Sequence, residues 1–451
     1  MGPGAAVRRR WQASAFAPVL ASPVLRCLLP ALAVSAVGDG MSAVGVAWLA
    51  IRIASPADRG LVVGVAVAAY TLPGAAGAVL LARPLRRLAG RRLVAADATL
   101  RAVALALIPL LYAFGALGPG LYVALLAASS LLHAWGISGQ YTLVAEHLPP
   151  EDRTAGNALL SGFGAVAYIV GPLLAGLVVA TAGPAVPIAA DAASFAVLAV
   201  TAATLRASRE IAATAEASGA RGNRELTGAV KAEEASEPDR ARGFAVIARS
   251  RPLAGLLVLT LIYYFLYGPV EVALPLYVTG PLHGGAGLLG LFWFVFGIGA
   301  TAGSITAGLA RRLPLWPVLA VAVIGWGAAL APLGLLRLTV PALACFAVGG
   351  LLYAPYPALS ATLFQRESPP ELLSQVLAAR GALTVLAAPL GTALGGPLTT
   401  WLGAQHTLLV SAAATIALGL VTTAILTAGR QRAVPVLQSE PADGPIPRKT
   451  P

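Results

Sequence analysis

Charged side chains are scarce in this sequence: Asp, Glu, Lys and Arg make up 11% of its 451 residues, whereas apolar residues make up 58%. Soluble domains carry about 25% charged and about 45–50% apolar residues. So few charges cannot cover a water-facing surface of this size, which excludes a soluble enzyme, a soluble nucleic-acid-binding protein and an extracellular scaffold. The apolar residues form blocks of about twenty, enough to cross ~30 Å of hydrocarbon. The sequence therefore predicts an all-α membrane protein.

Cysteine and histidine are also rare, with two and four residues. Cys27 and Cys345 lie in separate apolar segments without a CxxC motif, so no disulfide framework or metal site is indicated. The pair Glu146-His147 lacks the second histidine of a metalloprotease motif. The sequence contains no Walker motif, dinucleotide-binding motif or catalytic triad. We therefore expect no metal, no cofactor, no enzymatic reaction and no direct coupling to ATP.

Acidic residues are outnumbered by basic ones, 19 against 31, which gives a net charge of +12. Most of the basic residues fall in the termini and in alternate predicted loops, whereas Arg52, Arg59 and Arg337 fall on the other side. Because cytoplasmic loops are enriched in Lys and Arg, both termini are predicted to be cytoplasmic and the protein to lie in the cell membrane. This asymmetry explains the positive charge without a nucleic-acid partner.

Hydropathy predicts twelve transmembrane helices in two groups of six. The predicted spans are 25–50, 61–82, 93–114, 119–144, 156–181 and 185–206, followed by 253–278, 285–309, 315–336, 340–364, 373–401 and 406–428. These spans divide the chain into five segments. They are a cytoplasmic N-terminal segment (1–24), an N-terminal six-helix bundle (25–206), a polar cytoplasmic linker without regular structure (207–251), a C-terminal six-helix bundle (252–428) and a disordered cytoplasmic tail (429–451). Two parallel halves around a central site form a transporter architecture.

Several motifs resemble those of one transporter family. They are Gly38-Asp39-Gly40 in the first span, Leu148-Pro149-Pro150-Glu151-Asp152-Arg153 after the fourth, Gly171-Pro172 in the fifth, Asp191-Ala192-Ala193-Ser194-Phe195 in the sixth and Glu367-Ser368-Pro369 after the tenth. The chain resembles the major facilitator superfamily, and within it the bacterial branch of drug and siderophore exporters. The resemblance implies the major facilitator fold and transport of a small molecule.

The resemblance also assigns roles to two groups of residues. In the fifth span, Gly171, Pro172 and Gly176 match part of the antiporter motif, which implies close helix packing. Between the second and third spans, the loop keeps the family's basic ending but lacks its acidic residue. We therefore expect its arginines to set topology and contact acidic lipid headgroups rather than form an acid-dependent latch. The loop residues concerned are Arg86, Arg87, Gly90, Arg91 and Arg92.

Two acidic residues inside spans are candidates for coupling transport to protons, since a charge at mid-bilayer costs at least about 2.5–3.5 kcal/mol. Asp39 lies in the middle of the first span. It is interpreted as a proton carrier, a counter-charge for a cationic cargo or a gate partner, or alternatively as a packing residue hydrogen-bonded to Ser35 or Ser42. Glu271 lies in the outer part of the seventh span between two prolines. It belongs either to a bent gating helix or to the water interface.

Asp97 and Arg101 are spaced i,i+4 at the predicted cytoplasmic start of the third span, which places them on one helix face. They form either a self-neutralising pair or a gate pair that exchanges with Arg380 of the eleventh span. Asp191 is expected near the outer end of the sixth span, in a packing or capping role.

The remaining candidates are residues of a binding cavity. His133 is the single histidine inside a span, and it is interpreted either as a titrating group or as a packing residue. Aromatic residues cluster in the seventh, eighth and tenth spans, where they either pack and mark the interface or line a cavity for an apolar or aromatic cargo. The aromatic candidates are Tyr264, Tyr267, Trp293, Tyr353 and Tyr356.

These observations predict a secondary active transporter that exports a small amphipathic molecule, such as a drug, siderophore or natural product, in exchange for protons. Two alternatives are an importer or lipid translocator of the same fold, and a non-transporting membrane scaffold or sensor. Asp39 and the bent seventh span argue against a scaffold. The expected partners are the cargo, protons and membrane lipids, and we expect a monomer.

Overall fold

The computed structural model describes residues 16–85, 88–216, 237–309 and 314–432, and all regular structure within them is helical. Eleven helical stretches are long and apolar enough to cross a membrane. We label the spanning helices α1 to α12. The first ten are α1 (Pro23–Ile53), α2 (Arg59–Leu80), α3 (Gly90–Ala113), α4 (Pro119–His147), α5 (Arg153–Ala182), α6 (Val186–Glu216), α7 (Arg251–Thr279), α8 (Ala286–Leu309), α9 (Leu315–Leu335) and α10 (Thr339–Glu367).

The last helical stretch supplies two spans. Leu373–Arg432 is 60 residues long, and Gly403 interrupts it with φ 79° and ψ 164°. A continuous helix of this length would measure ~90 Å, about three times the thickness of the hydrocarbon core. Residues 373–402 therefore form α11 and residues 404–432 form α12. The prediction of twelve spanning helices is confirmed.

Two spans are broken at equivalent positions of the two halves. Helix α4 consists of Pro119–Ser130 and His133–His147, and α10 consists of Thr339–Tyr353 and Pro355–Glu367. Pro355 explains the break in α10, because proline lacks the N–H that continues a helix. The fourth helix of each half thus shares a mid-membrane break, as expected for a repeat.

The predicted linker differs from the structure at both of its ends. Helix α6 continues to Glu216, and a further helix, Glu237–Arg249, precedes α7. Within that helix Ile247 is buried, and Gly243 lies against the backbone of Gln375 at the start of α11. The prediction of a linker without regular structure is therefore wrong over these residues. The rest of the linker (217–236), residues 1–15 and residues 433–451 lie outside the described residues.

The two halves meet at one side of the membrane and separate at the other. We call the side that carries both chain ends the terminal side, and the opposite side the far side. On the far side, Gly64 of α2 approaches the backbone of Gly396 in α11, and Gly176 of α5 approaches Ala286 and Gly287 of α8. No described atom lies within 4 Å of a Cβ built at positions 162 and 164 of α5 or 381 of α11, nearer the terminal side. The space between the halves therefore opens to the terminal side.

We expect Gly171→Val to lower the stability of the fold and Gly162→Val to leave it unchanged. A Cβ at Gly171 would lie 2.6 Å from the backbone carbon of Gly40 in α1, whereas a Cβ at Gly162, on the same helix, meets nothing within 4 Å. Overpacking of this kind costs about 1–3 kcal/mol. Apparent melting temperatures in detergent would measure the difference, and equal values for the two variants would contradict the close contact between α1 and α5.

Candidate functional site

A cavity of about 470 Å³ lies between the two halves. Its wall is mostly apolar, with polar side chains grouped on the N-terminal half and a single acidic residue on the C-terminal half. Such a cavity, apolar with few polar groups, suits a small amphipathic molecule. The lining includes Ala36, Asp39, Gly40, Ala43, Val67, Tyr70, Thr71, Arg101, His133, Gly164, Tyr168 and Pro172 from the N-terminal half, and Glu271, Pro275, Trp293, Val385 and Pro389 from the C-terminal half.

Arg101 is the centre of the polar wall. Its side chain is 1% exposed and forms an ion pair with Asp39, which is 33% exposed toward the cavity. The guanidinium also donates to the Tyr70 hydroxyl at 2.6 Å, and it lies over the ring of Phe195, 4.3 Å from the ring centroid. Buried guanidinium groups are tolerated when they are paired with carboxylates and aromatic faces in this way.

Asp39 is held by Arg101 and by the Tyr70 hydroxyl, which also donates to its carboxylate. The two serines suggested as packing partners bond elsewhere, because Ser35 donates to the carbonyl of Leu32 and Ser42 donates to Asp191. The packing interpretation of Asp39 through these serines is therefore wrong. Its carboxylate belongs to a charged network on the cavity wall.

Asp191 belongs to the same network, which the sequence interpretation missed. It is fully buried and accepts a hydrogen bond from Ser42 at 2.6 Å and a longer one from Tyr70 at 3.4 Å. Gly38 makes this position possible, because a Cβ there would lie 2.7 Å from an Asp191 carboxylate oxygen. The sequence feature that could have indicated this role is that Asp191 is an acidic residue inside an apolar span, close to Ser194.

The predicted pairing of Asp97 with Arg101 differs from the structure. No hydrogen bond or ion pair joins them among the described residues, and the buried Asp97 Oδ1 has no hydrogen-bond partner there. Arg101 is also the twelfth of the 24 residues of α3, at its middle rather than its start. The longer reach of Arg101 takes its guanidinium across to α1, away from its own helix.

Arg380 lies apart from this network. It donates to the Ser360 hydroxyl at 3.1 Å and lies over the ring of Phe364, 5.0 Å from its centroid. No ion pair connects it with Asp97 in the part of the chain that the structure describes. The structure therefore gives no support to a gate pair of these residues.

His133 lines the cavity and contacts Arg101, with 2.7 Å between Nδ1 and the guanidinium. Because a guanidinium only donates, Nδ1 accepts, and the imidazole in this arrangement carries its proton on Nε2. His133 thus lies in the charged network.

Glu271 is the acidic residue of the opposite wall. Thr392 of α11 donates to its carboxylate at 3.1 Å, and no basic residue pairs with it among the described residues. Pro269 and Pro275 flank it within α7. The cavity therefore has a compensated carboxylate on one wall and an uncompensated one on the other.

The aromatic candidates divide into two groups. Trp293 lines the cavity beside Tyr168, with ring centroids 6.2 Å apart. The four predicted tyrosines do not line it and instead pack against one another behind the wall, within the C-terminal half. Representative centroid distances are 5.1 Å for Tyr267 and Tyr353, and 6.0 Å for Tyr264 and Tyr356. Tyr267 reaches the cavity indirectly, through a 3.1 Å hydrogen bond with the Tyr168 hydroxyl.

The packing motif and the basic loop hold helices together. Gly171 lies against Gly40, while the carbonyl of Pro172 and the Cα of Gly176 face Gly290 of α8. In the loop, the Gly90 N–H donates to Glu146 at 3.2 Å, and Arg91 donates to the carbonyl of Ala202 at 3.0 Å. Arg91 therefore contacts protein, which the prediction of lipid contacts did not include, whereas Arg92 is exposed. Arg86 and Arg87 lie outside the described residues.

We expect Arg101→Gln to destabilise the protein, and the double variant Asp39→Asn/Arg101→Gln to recover part of the loss. Removing one partner of a buried ion pair costs about 3–5 kcal/mol, and the lower figure applies because Asp39 faces the cavity. Melting temperatures of Arg101→Gln, Asp39→Asn and the double variant would test this, with the exposed Arg92→Gln on the same helix as control. Additive effects of the two substitutions would show that the ion pair is not energetically coupled.

Comparison with known proteins identifies the family. The sequence profile of the Major Facilitator Superfamily matches residues 28–382. The chain belongs to this superfamily. It is therefore a multi-span membrane transporter of small molecules and not an enzyme.

Curated relatives include a multidrug efflux pump. The chain is 30% identical to the multidrug efflux pump Tap of Mycobacterium tuberculosis over 380 residues, covering 81% of this chain and 84% of Tap. It is 26% identical to the uncharacterised MFS-type transporter y4rN of Sinorhizobium fredii over 272 residues, covering 58% of this chain and 62% of that protein. The predicted likeness to the drug-exporter branch is confirmed.

Solved structures show the same fold at low sequence identity. The nucleoside transporter NupG superposes with a TM-score of 0.64 at 13% identity, covering 88% of this chain and 99% of NupG. A bacterial homologue of the human lysosomal transporter Spinster, in an inward-facing and unoccupied conformation, gives 0.63 at 13% identity, covering 90% of this chain and 96% of that protein.

Proposed function

We propose that this protein exports a small amphipathic molecule across the bacterial cell membrane in exchange for protons. Its termini are cytoplasmic and it works as a monomer. The observation that carries the proposal is the Asp39–Arg101 pair at the surface of a cavity between two six-helix halves. A buried guanidinium with one carboxylate facing the cavity couples the charge of that carboxylate to what the cavity contains.

The geometry supports coupling through competition for Asp39. A proton on Asp39 removes the negative charge that holds Arg101, and a cationic group of the cargo at the same carboxylate prevents protonation. A proton and a cationic group both bind the same carboxylate oxygens, so they exclude each other at this position. Such exclusion is the basic requirement of an exchanger.

Glu271 supplies the second contact of the proposed cargo. It faces the same cavity from the C-terminal half, without a basic partner among the described residues, and Trp293 offers an aromatic face nearby on that wall. A cationic amphipathic cargo would place its charge between Asp39 and Glu271 and its apolar part against Trp293. Arg101 compensates the charge of Asp39, but no basic residue among the described ones compensates Glu271. The cavity therefore favours a cationic cargo over an anionic one.

Similarity to the multidrug efflux pump Tap supports export over import. The cavity opens to the terminal side, where an exporter with cytoplasmic termini must load its cargo. An importer or lipid translocator would show concentrative flux in the opposite direction in oriented vesicles. A membrane scaffold or sensor would show no flux and has no use for a charge network on a cavity wall.

We expect Asp39→Asn to abolish proton-driven efflux while the protein still folds. The amide keeps the shape and hydrogen bonding of the side chain but fixes the neutral state. Asp39→Glu should keep partial activity with a shifted pH optimum. Uncoupler-sensitive efflux from cells, with substrates drawn from a panel of toxic compounds, would measure these effects.

Asp58→Asn is the matched control for Asp39→Asn, since Asp58 lies exposed in the turn between α1 and α2. Its efflux should equal that of the wild type. If Asp39→Asn, expressed at the wild-type level, still concentrated a compound outward with unchanged pH dependence, Asp39 would not be the coupling residue.

Glu271→Gln should weaken the export of cationic compounds much more than the export of neutral ones. The variant keeps the hydrogen bond with Thr392 and loses the charge that faces the cavity. Concentration dependence of efflux for a cationic and a neutral substrate of similar size would measure the difference. An equal loss for both substrates would assign Glu271 to coupling or folding instead of cargo recognition.

A further inference from the structure

A second cleft, of about 480 Å³, lies on the far side at the seam between the two halves. It is formed where the start of α2 meets the ends of α7 and α11 and the start of α12. Arg59 contributes from the N-terminal half, whereas Arg337 and His406 contribute from the C-terminal half. No acidic residue lines this cleft among the described residues. Two of the three arginines that the sequence places on this side of the membrane thus converge on one cleft.

Within the described part of the chain, the arginines of the cleft have no acidic partners. Neither Arg59 nor Arg337 forms an ion pair with any described residue. Gln405 positions Arg337 by accepting a hydrogen bond from its Nε at 3.2 Å, which leaves the terminal nitrogens of the guanidinium for a ligand. Asp58 is next to Arg59 in sequence but does not line the cleft, and its carboxylate accepts a hydrogen bond from the Ser55 hydroxyl at 2.6 Å.

The position of the cleft distinguishes its ligand from the cargo of the central cavity. Helices α2 and α11 touch beneath it through Gly60, Gly64 and Gly396, which are the contacts that close the far side. Arg59 of one half and Arg337 of the other therefore line one cleft above a closed seam, and their like charges oppose closure. An anion between them converts this repulsion into attraction, because charged groups of both halves then bind one ligand.

The surroundings of the cleft match a lipid headgroup. Trp401 next to it is 81% exposed, and Leu61 and Leu402 at the adjoining ends of α2 and α11 are 43% and 44% exposed. Exposed Trp at the end of a membrane helix marks the level of the headgroups, with apolar side chains toward the acyl chains. Arginine binds the oxygens of a phosphate through paired hydrogen bonds.

We propose that this cleft binds the phosphate of an anionic phospholipid and that the bound lipid holds the far side closed. The phosphate joins Arg59 of one half to Arg337 of the other. Because the site exists only while the seam is closed, binding shifts the population toward the state open to the terminal side. This inference depends on the seam alone and is independent of the direction of transport and of Asp39.

The test measures the population of the closed far side in lipid nanodiscs. Spin labels at Phe114→Cys and Val340→Cys, which are 78% and 76% exposed at the far-side ends of the two halves, report the distance between them. Cys27 and Cys345 are replaced by serine beforehand. We expect phosphatidylglycerol, compared with phosphatidylcholine alone, to raise the ratio of short to long distances about fivefold, the low end of typical coupling factors.

The double variant Arg59→Gln/Arg337→Gln should lose this response, and Arg52→Gln should keep it. Arg52 is the matched control because it is an exposed arginine on the same side that does not line the cleft. Folding is checked by the melting temperature of each variant in phosphatidylcholine. A full response to phosphatidylglycerol in a folded double variant would overturn the proposal. Inorganic phosphate that gives the same shift in phosphatidylcholine nanodiscs would assign the site to a soluble anion and overturn the lipid assignment.

Discussion

The buried guanidinium of Arg101 is the constraint on which the N-terminal half depends. A cation with 1% exposure in the middle of a membrane helix requires a carboxylate, and Asp39 on α1 provides it. Tyr70 on α2, His133 on α4 and Phe195 on α6 complete its surroundings. Four other helices must therefore come close to α3 at one level. The glycines near this level allow the approach, as Gly38 does beside Asp191 and Gly136 beside Asp97.

A buried ion pair is a poor source of stability, because the desolvation of two charges offsets most of their attraction. Apolar residues of similar volume would pack this half at least as well. The network also contains two carboxyl groups, Asp39 and Asp191, and one guanidinium, which is paired with Asp39. This excess of carboxyl groups fits the proton exchange that we propose better than a role in holding helices together. The C-terminal half contrasts with it, since its interior contains packed aromatic rings around Tyr263 and Trp326.

Much of the fold follows from the sequence, whereas the site follows from it only in part. Apolar blocks locate the spans because the thickness of the bilayer fixes their length, and even the short turn at Gly403 lies between two predicted spans. Helix Glu237–Arg249 was missed because its composition is polar and Ile247 is buried by contacts with other helices. The pairing of Asp97 with Arg101 was wrong for a related reason. Spacing along one helix describes neighbours on that helix, but a long side chain pairs with the carboxylate that a neighbouring helix brings within reach.

The distribution of glycines relates the observed state to the transport that we propose. Glycines near the far side, such as Gly64, Gly176 and Gly396, are in close contact between the halves. Nearer the terminal side, a Cβ added at Gly162, Gly164 or Gly381 would have no atom of a neighbouring described element within 4 Å. An exchanger must close the terminal side when the far side opens, and small residues on the facing helices permit the necessary approach. A larger side chain at Gly162 would leave the present state intact, since nothing there is displaced. The same side chain would obstruct closure of the terminal side, so the effect of such a change belongs to the transport cycle and not to the stability of this state.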